Sequence, residues 1–379
     1  MISEAGQSLN RLRAAYRLLA PGVQMPVYLI VFVTSRCDAR CRHCFYWREL
    51  NHVPNELTVD EYDRLARAAG PTFQVTLTGG SPELRSDLPA IAMRFHEHCR
   101  PVNMTLCLLG RHTEKVLRQV ETILDECPNQ RLTVGLSLDG LNAEHDNIRG
   151  CPGLFDRVRA TFQGLGELKK RYSRLTLNAA VTISTLNQDS AERTARWAWD
   201  NLPIDGLKPI LVRGTPADPT VVSETSREPY LRLVALDRAR TAEAPRRRAT
   251  VVSAMIAAKE SVERELIEEI ITTEAAPVGC SGGRETAIIF PDGKVAGCEL
   301  RNDVLGYLRE SELDLRRVWL SNAATQFRAT AGLLDVCKGC YHHCFLSPAM
   351  FRSPRLWPRL ARSFLLAIGK DRRPMGQSK

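Results

Sequence analysis

The sequence lacks any long apolar run. The longest clean one near its start, Val27 to Val33, is seven residues, too short to span a bilayer. No secretory signal pattern opens it, because Arg11, Arg13 and Arg17 interrupt any apolar core. Internal repeats and low-complexity tracts are absent as well. Glycine and proline number 24 and 21 of 379 residues, which excludes a collagen-like or disordered low-complexity chain. With 25% charged and 44% hydrophobic residues, the expectation is a soluble, cytoplasmic globular protein of one large domain, or one large and one small.

The net charge of +9 is unevenly spread. Between Phe351 and Lys379, eight basic residues (Arg352, Arg355, Arg359, Arg362, Lys370, Arg372, Arg373 and Lys379) meet one acid, Asp371. The remainder is nearly neutral, so no specific nucleic-acid partner is expected.

Cysteine is the informative residue. There are twelve. Cys37, Cys41 and Cys44 form one group; Cys280, Cys298, Cys337, Cys340 and Cys344 form another. Disulfide frameworks belong to small secreted chains, so clustered thiols here read as metal or iron–sulfur ligands. Cys99, Cys107, Cys127 and Cys151 stand alone and read as small core residues.

From residue 27 to about 213, short apolar runs alternate with helical patterns. The strand candidates are Val27–Thr34, Phe73–Thr78, Val102–Leu108, Leu132–Leu138, Leu175–Ile183 and Gly206–Val212. Their apolar content suggests parallel strands covered on both faces. Helical segments are Thr58–Ala69, opened by a Thr58/Glu61 capping box, Thr113–Glu126, Asp156–Tyr172 and Asp189–Asp200. Six βα units in a row predict an α/β fold, a partial (β/α)6 TIM-like barrel with its chemistry at the C-terminal strand ends. Charged helical patterns over Tyr230–Arg240 and Thr250–Thr272 lead to a small α+β Cys-rich domain. There, residues 288–295 read as a hairpin with an Asp292-Gly293 turn.

Cys37-x3-Cys41-x2-Cys44 follows the first strand directly. Three thiolates on such a loop can hold three corners of a cubane and leave one iron open. A zinc knuckle completed by His43 is the other reading of this spacing. The segment Cys37-Asp-Ala-Arg-Cys41-Arg-His-Cys44-Phe45-Tyr46-Trp47 resembles the defining motif of the radical S-adenosylmethionine (radical SAM) superfamily. Thr78-Gly79-Gly80-Ser81-Pro82 resembles that family's Gly-Gly-Glu-Pro motif, with Ser81 in place of the Glu and Glu83 two positions on. Leu136-Ser137-Leu138-Asp139-Gly140, His145-Asp146, Arg149-Gly150 and Gly153-x-Phe155 resemble a run in members with auxiliary clusters. The resemblance implies a 4Fe-4S cluster on Cys37, Cys41 and Cys44, with SAM bound by Tyr46, Gly79, Gly80, Ser81, Ser137 and Arg149. It further implies reductive cleavage of SAM to a 5′-deoxyadenosyl radical, fed by an electron donor such as flavodoxin or ferredoxin. Asp139 is expected to shape the strand end or touch substrate.

Cys280-x12-Gly293-x4-Cys298 resembles the opening of the family's SPASM and twitch domains. Five cysteines (Cys280, Cys298, Cys337, Cys340 and Cys344) are too few for two Cys-ligated cubanes and enough for one auxiliary 4Fe-4S cluster with one to spare. Which four bind, and whether His342 or His343 enters, stays open; a four-cysteine zinc ribbon also fits the spacing. The expected organisation is an N-terminal helical extension over 1–26, a radical SAM core over 27–215, a helical linker over 216–276, a SPASM/twitch-like domain over 277–346, and a basic amphipathic tail over 347–379.

In that tail, Arg355, Arg359 and Arg362 are interleaved with Leu356, Leu360, Phe364, Leu365 and Ile368. The pattern suits a docked C-terminal helix or a peripheral contact with the inner membrane face. The chain's end resembles radical SAM proteins found beside glycan and lipid assembly enzymes, implying a sugar-bearing or lipid-linked substrate. The leading expectation is therefore a radical SAM enzyme abstracting hydrogen from a small-molecule, sugar, nucleotide or lipid-linked substrate. The alternatives are a maturase of ribosomal peptides, for whose usual peptide-binding domain residues 1–26 are too short, and a non-catalytic zinc protein.

Overall fold

The computed structural model describes residues 4–20, 22–243 and 251–369. After helix α1 (Glu4–Leu19) the chain alternates β1 (Tyr28–Thr34), α2 (Val59–Ala69), β2 (Gln74–Gly79), α3 (Leu88–Cys99), β3 (Asn103–Leu108), α4 (Thr113–Glu126) and β4 (Leu132–Ser137). Then come α5 (Ala143–Arg149), α6 (Leu154–Arg171), β5 (Leu175–Ile183), α7 (Ala191–Asn201) and β6 (Gly206–Leu211). The strands β1 to β6 are parallel and lie in sequence order. The capping box forms: the Thr58 amide donates to Glu61 (2.8 Å) and the Glu61 amide to the Thr58 hydroxyl (3.3 Å).

The core lies between the outer strand faces and the helices. Leu29, Val31, Leu77, Leu106 and Val134 meet Leu65, Phe95, Val120 and Phe162, all fully buried. Strand β1 is covered on both sides as expected, with Ile30 and Phe32 buried opposite Leu29 and Val31, but the inner faces of β3 and β4 are not. Along β3, Met104, Leu106 and Leu108 are buried, while Asn103, Thr105 and Cys107 are half-buried or exposed. An exposed side chain on a middle strand opens into the concave side of the sheet, so this six-strand wrap does not fill its interior with apolar layers as a complete barrel does. Inside its N-terminal end runs a polar ladder: Thr133 donates to Asn103 (3.0 Å), Asn103 to Gln74 (3.1 Å) and Gln74 to Thr105 (2.9 Å).

Helices α8 (Arg227–Glu243) and α9 (Val251–Thr273) lead to β7 (Thr286–Ile289) and β8 (Lys294–Ala296), the expected hairpin. This hairpin is not detached from the core. Strand β7 pairs in parallel with the free edge of β1, and the two-residue β9 (Gly306–Tyr307) completes a nine-stranded sheet. Short helices α10 (Leu315–Trp319) and α11 (Asn322–Thr330) follow, then α12 (His343–Arg352) and α13 (Trp357–Gly369). The latter docks along α9, with Leu356 and Ala367 buried and Arg359 bonded to Glu269 at 3.1 Å. Lys370, Asp371, Arg372, Arg373 and Lys379 lie outside the described residues.

Candidate metal centres

Cys37, Cys41 and Cys44 sit on the loop leaving β1, all partly buried. Three neighbouring segments hold that loop. From β2, the Gly80 amide donates to Thr34 O and the Ser81 amide to Arg36 O, both at 2.8 Å. Gly79 has φ +136°, and a Cβ there would stand 2.3 Å from Thr34 O; on Gly80 it would stand 2.4 Å from Arg36 O. The two glycines are therefore required by the close approach of the protein's own cysteine loop. From α5, the carbonyls of Ile148 and Arg149 accept from Arg42 (3.1 Å) and Arg40 (2.9 Å). Asn51 brackets Cys37, accepting from its amide (3.0 Å) and donating to its carbonyl (3.1 Å).

Beneath the loop lies a buried polar network that reading the sequence did not assemble. Asp139 is fully buried at the end of β4. It accepts from Arg149 Nε (2.5 Å) and from the Thr182 amide (2.8 Å), while Arg149 Nη1 points at Cys41 Sγ at 3.7 Å. Burial pushes the Asp139 carboxyl up, but Arg149, His43 and His145 together hold it below its ordinary value. His43 faces Asp139 at 3.7 Å rather than completing a metal site, and burial lowers it to about 4. Burial likewise raises the Cys37 thiol to about 11 and the Cys44 thiol to about 12, and raises Cys41 against the pull of Arg149. A bound cation reverses this, because it binds the thiolate and releases the proton.

The other expected cofactor residues surround this loop. Ser81 is fully buried, and its hydroxyl has no partner among the described residues. Glu83, fully buried, accepts from the amides of Leu109 (3.2 Å) and Gly110 (2.8 Å), tying together the loops after β2 and β3. Ser137 ends β4, half-buried. Tyr46 packs with Phe32 (4.9 Å between ring centroids) and Phe290 (5.9 Å), and the same aromatic cluster touches Cys44, Cys298 and Cys344.

Cys280, Cys298, Cys337 and Cys340 line one cavity of about 320 Å³, together with His342, Phe327 and Val336. Backbone amides point at two of the sulfurs, Gly282 N to Cys280 Sγ at 3.3 Å and Leu300 N to Cys298 Sγ at 3.4 Å. Such bonds favour the thiolate. Cys344 does not line this cavity. Like Cys44 and Cys298, it lies against the aromatic cluster. His342 is turned to Glu299 (2.5 Å), which also binds Arg213 (2.6 Å). Burial pushes Glu299 up, but His342 and Arg213 hold it at about 2. His343 points toward Pro209 O (3.3 Å).

Thiolates sharing one zinc, each about 2.3 Å from it, put their sulfurs about 3.8 Å apart. Among the described residues, the three ligand atoms found within 4.8 Å of one another belong to Asp63, Glu97 and His98 on α2 and α3. Arg67 and Arg94 already pair with those acids. Neither cysteine group has three sulfurs within 4.8 Å of one another among the described residues.

The comparisons with known proteins agree. Residues 31–198 match the model of the radical SAM superfamily, and residues 280–341 that of the iron–sulfur cluster-binding SPASM domain. The chain thus carries a radical SAM domain and, C-terminal to it, an iron–sulfur cluster-binding SPASM domain. It is similar to an AdoMet-dependent heme synthase of Methanosarcina barkeri, 27% identical over 81% of this chain and 89% of the relative. It is also similar to a PqqA peptide cyclase of Ruegeria pomeroyi, 27% identical over 84% and 80%. A pre-heme d1 synthase of Dinoroseobacter shibae is 30% identical over 45% of this chain, and the match spans 40% of that relative's length. The crystal structure of Streptococcus suis SuiB shares the fold, with a TM-score of 0.59, 16% identity, and coverage of 92% of this chain and 78% of that one. A radical SAM domain carries a 4Fe-4S cluster and SAM, and a SPASM domain carries auxiliary iron–sulfur clusters. The donors present, three thiols on one loop and four around one cavity, suit both.

Proposed function

We propose that this chain is a radical SAM enzyme acting on a small-molecule, sugar, nucleotide or lipid-linked substrate, with one auxiliary 4Fe-4S cluster. The observation that carries the reading is the Cys37–Cys44 loop. It offers three thiols, its nearest histidine is turned to Asp139, and it opens at the C-terminal end of the sheet, where the inner faces of β3 and β4 are polar. When bound, the cluster and SAM supply a carbon radical able to abstract hydrogen.

The chain's own residues provide position and shelter. Asp139 aims Arg149 at Cys41, and Glu83 clamps the two neighbouring loops. Gly79, Gly80, Ser81, Ser137, Arg149 and Tyr46 are the proposed cofactor contacts. The rings of Phe32, Tyr46 and Phe290 keep water from the space between the two cysteine groups. Cys280, Cys298, Cys337 and Cys340 are the proposed ligands of the auxiliary cluster, and Cys344 is not one. Substrate binds on the concave face, near Cys107 and Arg213. Two of the similar proteins are named for heme compounds and one for a peptide, and the polar, half-exposed inner face supports the small-molecule reading.

Anaerobically reconstituted protein with SAM and dithionite, or a flavodoxin or ferredoxin donor, is expected to form 5′-deoxyadenosine. Replacing Cys37, Cys41 and Cys44 together by Ala abolishes it. Survival of that product in the triple variant refutes the reading.

A further inference from the structure

Helix α13 is apolar on both sides. Its inner side, with Leu360 and Ala367, lies on α9, and Leu356 just before it is buried as well. A helix docked in this way normally turns charge to the water. Here Trp357, Leu365 and Leu366 face outward with 50%, 67% and 57% of their surface open. Trp357, Ala361 and Leu365 follow at i, i+4 and i+8, so they form one outward row, flanked by the exposed Arg359 and Arg362 and preceded by Arg355. A second exposed row, Leu12, Tyr16, Leu19 and Val23, runs along α1 and the turn after it. Helix α1 packs on α12, which leads directly into α13.

We infer that the outward face of α13 rests on a bilayer containing anionic lipids while its inner face stays docked. Arginines interleaved with tryptophan and leucine suit a headgroup boundary, where apolar side chains enter the acyl region and cations meet phosphate. The charge favours this occupant: the sequence from Phe351 onward has eight basic residues against one acid. No helix among the described residues is long and apolar enough to cross a membrane, so the contact lies in the plane of the surface. This inference is independent of the substrate reading.

The test is co-sedimentation of the reconstituted full chain with phosphatidylcholine vesicles, with and without 30% phosphatidylglycerol, at low and high salt. Binding is expected to the anionic vesicles and to fall with salt. Two changes at exposed positions, Arg355→Gln with Arg362→Gln, are expected to weaken it about 30-fold, at roughly 1 kcal/mol per cation. The triple change Trp357→Ser, Leu365→Ser and Leu366→Ser is expected to abolish it, with iron content and melting temperature kept. Absence of wild-type binding, or triple-variant binding equal to wild type, overturns the inference. So does a lipid-free dimer that the triple change converts to monomer, because the face would then join two copies of the chain.

Discussion

The Asp139–Arg149 pair gives the sharpest test of how the first thiol group is supported. Arg149→Met keeps much of the side chain's volume and removes its charge. Asp139 then keeps the Thr182 amide on Oδ1 but loses the 2.5 Å partner on Oδ2, at a position with no solvent exposure. Breaking a buried ion pair from one side costs about 3–5 kcal/mol. Adding Asp139→Asn removes the stranded charge while keeping an oxygen for Thr182, so the double variant is expected to be more stable than Arg149→Met alone. A coupling energy above about 1 kcal/mol distinguishes this from two independent losses. Anaerobic urea unfolding of the four proteins, followed by near-ultraviolet circular dichroism, measures it. The midpoint potential of the first cluster is a second readout, because Arg149 Nη1 is aimed at Cys41 Sγ; without that cation it falls. An Arg149→Met variant within 1 kcal/mol of wild type, or strictly additive losses in the double variant, refutes the argument.

Gly80→Ala places a Cβ 2.4 Å from Arg36 O; it is expected to displace the Cys37 loop and to halve the iron content, from about eight atoms per chain to about four, as read by iron and sulfide analysis. Cys337→Ala or Cys340→Ala is expected to lose the auxiliary iron while Cys344→Ala keeps it, and equal loss in all three would mean that Cys344 is a ligand. His145, lowered by burial to about 4, accepts the Asp139 amide on Nδ1 at 3.1 Å and is therefore neutral in the folded state. Its contribution is complete above its ordinary value of 6.5 and is lost as pH falls toward 4, because the unfolded chain gains a proton that the folded one refuses. Unfolding midpoints between pH 7 and 4.5 are expected to fall less steeply in His145→Asn, and an unchanged slope would contradict this.

Most of the core was legible because its strands are short apolar runs bounded by turns. Leu175–Ile183 and Thr113–Glu126 form as expected, and the remaining ends shift by a residue or two. Helix α3 carried no such signal: Asp87 makes no cap hydrogen bond, and the helix stops at Arg100 in the left-handed region (φ 44°), where a glycine would have marked the end. That Cys37, Cys41 and Cys44 share one loop after β1 was legible from their spacing; the cluster they would hold came from the resemblance. Which of the second group share one cavity was not legible, because Cys340 and Cys344 are only a short loop apart and yet Cys340 lines the cavity with Cys280, Cys298 and Cys337 while Cys344 does not. The Arg213–Glu299–His342 cluster joins three distant segments, and nothing in one-dimensional spacing indicates it. Of the two alternatives for the tail helix, the docked one is observed, but its outward side carries the exposed Trp357, Leu365 and Leu366, which the docked reading did not anticipate.

The pairing of β1 with β7 has a consequence for how the chain matures. Tyr28 to Val31 are made long before their partners Thr286 to Ile289, with five parallel strands between them in the sequence. Until then the strand that delivers Cys37 is a bare sheet edge, open to pairing with other chains. Both cysteine groups would thus acquire metal only after the last strands arrive, with the edge of β1 sealed. A chain ending before Thr286 is expected to aggregate or to be cleaved readily around residues 28–56 in limited proteolysis, even though every residue of the first thiol loop is present. Protection of that segment in the shortened chain would show that the first centre matures alone.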